Sequence, residues 1–267
     1  MTSGGERSLH LLVTRPRAPS RPLLSAAANF GFTVDWMPLT EIQTVVLPDA
    51  HARLASVDQY DAVTFTSANG VRGFEQNCRA AGRSVPTSLR CFAVGRATAR
   101  AAAEIGMNAV EVAPDASAEA FGAWLGDKLT VPSRLLWPCG QRARSEFAEE
   151  LSARGHSVHP LVCYNTVERA VDRAAWKRWM EAVDRIHVLM FYSPSAVASW
   201  RRQPMVEAVS AQVRLAAVGK TTAAALAAGG LPVWCVSTQP DDEAFVETIA
   251  DCWQRSFTCK ETEGESS

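Results

Sequence analysis

The chain has 267 residues, 47% of them hydrophobic, and a formal net charge of -1 at pH 7. That composition suits a globular protein with apolar surface for two cores, and the charge balance argues against a nucleic-acid binder, which presents a strongly basic face. No apolar run reaches the roughly 18 residues of a membrane helix, and the seven cysteines show no disulfide or CxxC spacing, as expected of reduced thiols in the cytoplasm.

In chain order, the first residues, MTSGGERS, are polar and lack the hydrophobic stretch of a signal peptide. A short apolar run predicts a strand at 10–14. Residues 37–47 (MPLTEIQTVVL) read as extended, with no helix signal. Further strands are predicted at 62–66, 90–94 and 109–112, with an alanine-rich helix at 97–105 that stops at Gly106. A strand at 135–137 precedes a second extended segment at 160–168 (PLVCYNTVE). The remaining strands are predicted at 188–192, 213–218 and 233–236. A second alanine-rich helix, 221–228, stops at Gly229 and Gly230. The polar tail from 255 reads as disordered. Strands alternating with helices predict parallel sheets covered on both faces.

The chain also resembles itself. Residues 93–121 align without a gap with 217–245, keeping Gly95/Gly219, Thr98/Thr222, Gly106/Gly230 and Phe121/Phe245. Upstream, 64–74 matches 189–200, with Ser67 opposite Ser193, and 11–16 matches 135–140. Gly31 and Val34 correspond to Gly155 and Val158. Two copies are too few for a solenoid, so the expectation is two similar globular domains of about 120 residues each. The extended segments occupy equivalent places and are natural connectors. The expected division is 1–37 plus 167–267 as one discontinuous domain, 44–160 as the other, and 38–43 with 161–166 as linker strands.

In open parallel sheets, ligands bind beyond the carboxyl ends of the strands. The residues expected there are Thr14-Arg15-Pro16, Ser67-Ala68-Asn69-Gly70, Gly95-Arg96-Ala97-Thr98, Gly140-Gln141-Arg142, Ser193-Pro194-Ser195 and Gly219-Lys220-Thr221-Thr222. Each joins small, cap-forming residues to a helix start, where free N–H groups carry about half a positive charge. Such turns facing a common gap would hold a ligand with many carboxylates or phosphates. Serine and threonine at helix starts are often simple caps worth about 1 kcal/mol each. Six such turns in register across two copies weigh against capping alone. Tyr164, one of three tyrosines, lies on the second connector. His156 and His159 lack companions for a metal set and read as part of a surface strand pair. No GxGxxG follows a strand, and no P-loop, GxSxG or Cys–His pattern occurs.

The ordered motifs TRP (14–16), DAVTFTSANGV (61–71), AVG…TA (93–99), G…R…L…L…G (140–155), VCYNT (162–166), FYSPSAV (191–197) and AVGKTTAAAL (217–226) resemble the uroporphyrinogen-III synthase family across nearly the whole chain. That resemblance implies two flavodoxin-like parallel-sheet α/β domains, a tandem duplication joined by a two-stranded linker, with the active site between them. It implies a linear tetrapyrrole substrate, hydroxymethylbilane, closed with inversion of ring D and loss of water, without cofactor or metal. It makes Tyr164 and Thr222 the catalytic candidates, Tyr164 helping the hydroxyl leave. Arg15, Ser67, Asn69, Gly95, Thr98, Gly140, Ser193, Ser195, Gly219 and Thr221 become substrate-binding candidates. One departure is LLWPCG before Gly140, where family members often carry a more polar turn containing arginine; Arg142 and Arg144 follow it here. A cytoplasmic monomer without membrane or nucleic-acid partners is expected. The alternatives are a two-lobed module that binds a polyanion without converting it, and a dinucleotide-dependent enzyme, against which the missing glycine fingerprint weighs.

Overall fold

Buried side chains dominate the central strands, and both faces of each sheet are covered by helices. A computed structural model describes residues 8–46, 52, 54–115, 118–181, 185–204, 213–239 and 241–263. The first half of the chain forms β1 (Ser8–Val13), α1 (Arg21–Asn29), β2 (Thr33–Trp36), β3 (Thr40–Thr44), β4 (Ala62–Phe65), α2 (Ala68–Ala80), β5 (Arg90–Ala93), α3 (Arg96–Glu104), β6 (Glu111–Val112) and α4 (Ala118–Lys128). The second half forms β7 (Arg134–Gly140), α5 (Glu146–Ala153), β8 (Ser157–Glu168), α6 (Arg173–Met180), β9 (Arg185–Phe191), α7 (Pro194–Arg201), β10 (Val213–Val218), α8 (Gly219–Ala228), β11 (Cys235–Ser237) and α9 (Asp242–Glu263).

The chain divides into two compact units, one of residues up to Glu41 and from Val167, the other Ile42–Thr166. The first unit holds a sheet in the order β11-β10-β9-β1-β2, with every pair parallel. Successive side chains of a strand point to opposite faces. Leu9, Leu11, Val13, Val188 and Met190 therefore pack under α1 and α9, against Leu23, Phe245 and Ile249. Leu12, Leu189 and Phe191 pack the other way, against Trp176, Trp179, Trp200 and Leu226 of α6, α7 and α8. The second unit's sheet has the order β3-β8-β7-β4-β5-β6. Val63, Phe65 and Leu136 meet Phe74 of α2 and Ala101 and Ala102 of α3 on one face. Ala62, Phe92, Leu135 and Trp137 meet Phe121, Leu125, Phe147 and Leu151 on the other.

When each strand of the first sheet is replaced by its counterpart in the internal alignment, β2-β1-β9-β10-β11 becomes β8-β7-β4-β5-β6, the order observed in the second. This is the 2-1-3-4-5 order of flavodoxin-like sheets. The connectors belong to a sheet as well: β3 is the edge strand beside β8.

Several expectations shift. The strand expected at 109–112 is only Glu111–Val112, because Ala109 sits at φ 47 in the left-handed region. The one expected at 233–236 is Cys235–Ser237. The 135–137 strand runs on through Pro138 to Gly140. The tail from 255 is helical as far as Glu263, and 264–267, like the start MTSGGER, lie outside the described residues. His156 is buried, its Nδ1 accepting from the Ser133 amide, so it is not part of a surface strand pair. Among the described residues, no helix is long and apolar enough to cross a membrane.

Candidate functional site

Parallel pairing brings the carboxyl ends of the strands to one edge of each sheet, where the helices begin; among the described residues, only the connector β3 runs against its neighbour β8. In the Ile42–Thr166 unit, β4 ends at Phe65 and the chain turns through Ser67, the N-cap of α2, at φ −161, ψ 152. Ser67 Oγ accepts from the Gly70 amide at 3.0 Å. The Tyr164 hydroxyl, on β8, lies 3.2 Å from the same oxygen. The ring of Tyr164 rests on Gly140: a Cβ there would meet Cε2 and Cζ at 2.8 Å. The register shift between Cys139 and Gly140 accompanies this contact, and the Gln141 amide donates to the Tyr164 carbonyl at 2.9 Å. Sequence reasoning selected Ser67, Gly140 and Tyr164 separately; the fold brings them into direct contact.

Burial raises the Tyr164 pKa above the ordinary phenol value of 10.0, while the hydrogen bond to Ser67 opposes that rise. Tyr164 is therefore a neutral phenol that still holds its proton at neutral pH. Asn69 follows in the first turn of α2, its Oδ1 accepting from Arg72 at 3.2 Å. Gly95 caps α3 in extended backbone and, without a side chain, offers no cap to the first amides of that helix. Thr98 is buried one turn further on. Two neighbours were missed. Trp137 Nε1 donates to Thr66 Oγ1 at 3.1 Å, and Gly73 lies so close to Cys163 that a Cβ would meet its carbonyl oxygen at 2.7 Å. Neither contact has a local sequence signal.

In the unit containing both chain ends, Thr14 donates to the Met190 carbonyl at 2.7 Å. Arg15 forks onto both carboxylate oxygens of Asp242, at 2.6 and 2.7 Å, and stacks 4.8 Å over the Tyr192 ring. Ser20 donates to the same carboxylate. The guanidinium of Arg15 is thus engaged within its own unit. Ser193 caps α7 at φ −162, ψ 155, accepting from the Ala196 amide at 3.3 Å, and Ser195 is exposed beside it. Gly219 opens α8 at φ 74, again without a side-chain cap. Thr221 faces solvent, and Thr222 is buried. The candidates thus fall on the two sheet edges, one set in each unit. Among the described residues, no group of three or more His, Cys, Asp or Glu is placed to hold a metal ion.

Residues 22–247 match the sequence-family model described as uroporphyrinogen-III synthase HemD. The chain belongs to the uroporphyrinogen-III synthase family. It is 29% identical over 270 residues to the chloroplastic uroporphyrinogen-III synthase of Oryza sativa subsp. japonica, covering 95% of this chain and 84% of that protein. It is 23% identical to the uroporphyrinogen-III synthase of Chlorobaculum parvum, covering 90% and 98%. The crystal structure of uroporphyrinogen-III synthetase from Helicobacter pylori 26695 superposes with a TM-score of 0.62 at 15% identity, covering 91% of this chain and 99% of that one. At that identity the superposition establishes the shared two-domain α/β fold. Membership in the uroporphyrinogen-III synthase family gives the Ser67–Tyr164–Gly140 contact a chemical context that the geometry alone lacks.

Proposed function

We propose that this chain is a uroporphyrinogen-III synthase, a lyase that closes hydroxymethylbilane to uroporphyrinogen III with inversion of ring D and loss of water. Family membership over residues 22–247 supports the reaction. The observation that carries the mechanism is the half-buried phenol of Tyr164, held between Ser67 and Gly140.

The first step expels the terminal hydroxyl of the linear substrate. Hydroxide is a poor leaving group, so a proton must reach its oxygen as the C–O bond breaks. Tyr164, a phenol that is neutral at neutral pH, is the proposed donor, and Thr222 the candidate helper. The azafulvene so formed is attacked by the substituted carbon of ring D. The resulting spiro intermediate fragments and recloses with ring D inverted. The linear substrate also closes spontaneously, without inversion, to the I isomer. The enzyme must therefore hold a folded conformation, which is catalysis by positioning. The eight carboxylates of the substrate are anchored in this proposal by the uncapped amides at the starts of α3 and α8 and by the hydroxyls and amides around Asn69, Ser193, Ser195 and Thr221. Arg15 contributes by ordering the loop before α1 through Asp242 and Ser20.

The test uses freshly made hydroxymethylbilane, prompt quenching and separation of the oxidised I and III isomers. The intact chain yields the III isomer well above background, and Tyr164→Phe lowers that turnover by about 10²-fold, the low end of what a general acid contributes. Undiminished turnover in Tyr164→Phe would remove the residue from the mechanism. Formation of the I isomer alone by the intact chain would leave a polyanion-binding module.

A further inference from the structure

The geometry points to Ser67 as a positioning residue that donates its hydroxyl proton to the Tyr164 oxygen, so that Tyr164's own proton is turned toward the substrate's departing hydroxyl. This rests on Tyr164 being the acid, as proposed above.

A serine hydroxyl has one proton and two acceptor sites. The Tyr164 and Ser67 oxygens are 3.2 Å apart, and either could donate. What breaks the symmetry is the Gly70 amide, which already donates to Ser67 Oγ at 3.0 Å. That amide belongs to the first turn of α2, where the helix dipole is positive. An oxygen that accepts from such a donor becomes a weaker acceptor and a stronger donor, because linked hydrogen bonds polarise one another. The favoured chain runs from the Gly70 amide to Ser67 and from Ser67 to Tyr164.

Both ends of this chain are fixed. Gly70 approaches β7 so closely that a Cβ would lie 2.6 Å from the Pro138 carbonyl oxygen, so α2 has no room to slide. Gly140 fixes the plane of the Tyr164 ring from below. As the acid acts, the Tyr164 O–H bond breaks, the proton joins the substrate's hydroxyl oxygen, and the C–O bonding pair leaves with water. The phenolate that remains accepts the Ser67 proton in a charge-assisted hydrogen bond, stronger than the neutral one it replaces. The interaction thus gains strength in the transition state, which is the condition for raising the rate. The proton released when the final ring recloses restores the phenol.

Ser193 is a natural control. It caps α7 with nearly the same backbone geometry and accepts from the Ala196 amide, yet among the described residues no tyrosine hydroxyl bonds to it. Capping alone does not require a phenol partner.

The experiment titrates Tyr164 by NMR in the full chain labelled with [13Cζ]tyrosine, assigning its signal with Tyr164→Phe. If Ser67 is the donor, Ser67→Ala destabilises the phenolate and moves the Tyr164 titration to higher pH. It also lowers kcat about 10-fold with KM little changed, the loss expected for one hydrogen bond to a charged group. Ser67→Thr, which keeps both cap and hydroxyl, restores both values. Ser193→Ala removes a like cap without moving Tyr164. Where Ser67→Ala does not fold, Ser67→Gly reads the same sign, since glycine is a tolerated N-cap without a hydroxyl. A titration moved to lower pH, or not at all, overturns the inference, because it would make Tyr164 the donor or the contact inert. Tyr164→Phe with full turnover would instead retire the acid role, while the titration still reports whether Ser67 donates to the phenolate.

Discussion

Gly219 and Gly95 occupy matching places in the internal alignment but do different jobs. Gly219 sits at φ 74, where side-chain-bearing residues are strained, whereas Gly95 sits at φ −174, which any residue adopts. A Cβ on Gly219 would meet nothing within 4 Å, so its only penalty is the backbone conformation. Gly219→Ala is expected to destabilise the fold by about 1–2 kcal/mol, and Gly219→Asn, which tolerates this region, by less. Urea unfolding of the two variants checks the order, and equal losses would contradict it. The glycine was legible in the sequence as a turn; which of the pair needs to be glycine was not, because φ is fixed by the surrounding chain. Tyr164 and Ser67 were each legible through their motifs. Their contact was not, since 97 residues separate them. Arg15 shows the opposite failure: its charge was visible, but its partner Asp242 is 227 residues away.

Among the elements, α2 decides where the Ser67 hydroxyl stands. It meets β7 through bare glycine at Gly70 and meets Cys163 of β8 through Gly73, with the Cys163 thiol 3.5 Å from the Gly70 carbonyl oxygen. Backbone contacts this close cannot be relieved by a side-chain rotation. Gly70→Ala is therefore expected to cost about 3 kcal/mol, the upper range for overpacking, and to reduce formation of the III isomer by shifting Ser67 from Tyr164. Thermal denaturation and the isomer assay read the two effects, and an unshifted midpoint would show that α2 is free to move. The same neighbourhood explains how far the strands could be read in advance. Central strands were legible because both faces are covered, leaving unbroken apolar runs. β7 was expected to stop before Pro138, yet it continues, because its pairing with β4 ends at Leu136 and only β8 accompanies it further. A proline is accepted where its missing N–H has no strand opposite. β2 escaped notice because TVDW is half exposed and carries no apolar run.

For the molecule as a whole, the buried titratable groups confine stability from both sides. Burial raises the thiol of Cys78 to about 11 and that of Cys91 to about 12, from 9.0. It raises the phenols of Tyr164 and Tyr192 above 10.0 as well. The folded chain thus holds these protons more tightly than the unfolded chain. Their contribution is complete below pH 9 and declines as the pH rises through the unfolded and then the folded values. His10 acts with the opposite sign. Burial among Trp179 and His187 lowers its pKa below 6.5, against the pull of Asp35 at 2.7 Å. Its contribution is complete above that value and is lost as the pH falls, because the unfolded imidazole takes up a proton that the folded one resists. Urea midpoints measured from pH 5 to 10.5 should therefore form a plateau between about pH 7 and 9 and fall on both sides. The alkaline limb should be the steeper, because the thiols of Cys78, Cys91, Cys163 and Cys235 and two phenols contribute to it and one imidazole to the other. His10→Gln, which keeps a polar side chain near Asp35 without a titrating ring, should flatten the acid limb and leave the alkaline one. A midpoint that stayed level above pH 9 would mean that the thiols of Cys78 and Cys91 ionise as readily in the folded protein as in water, against the burial that raises both.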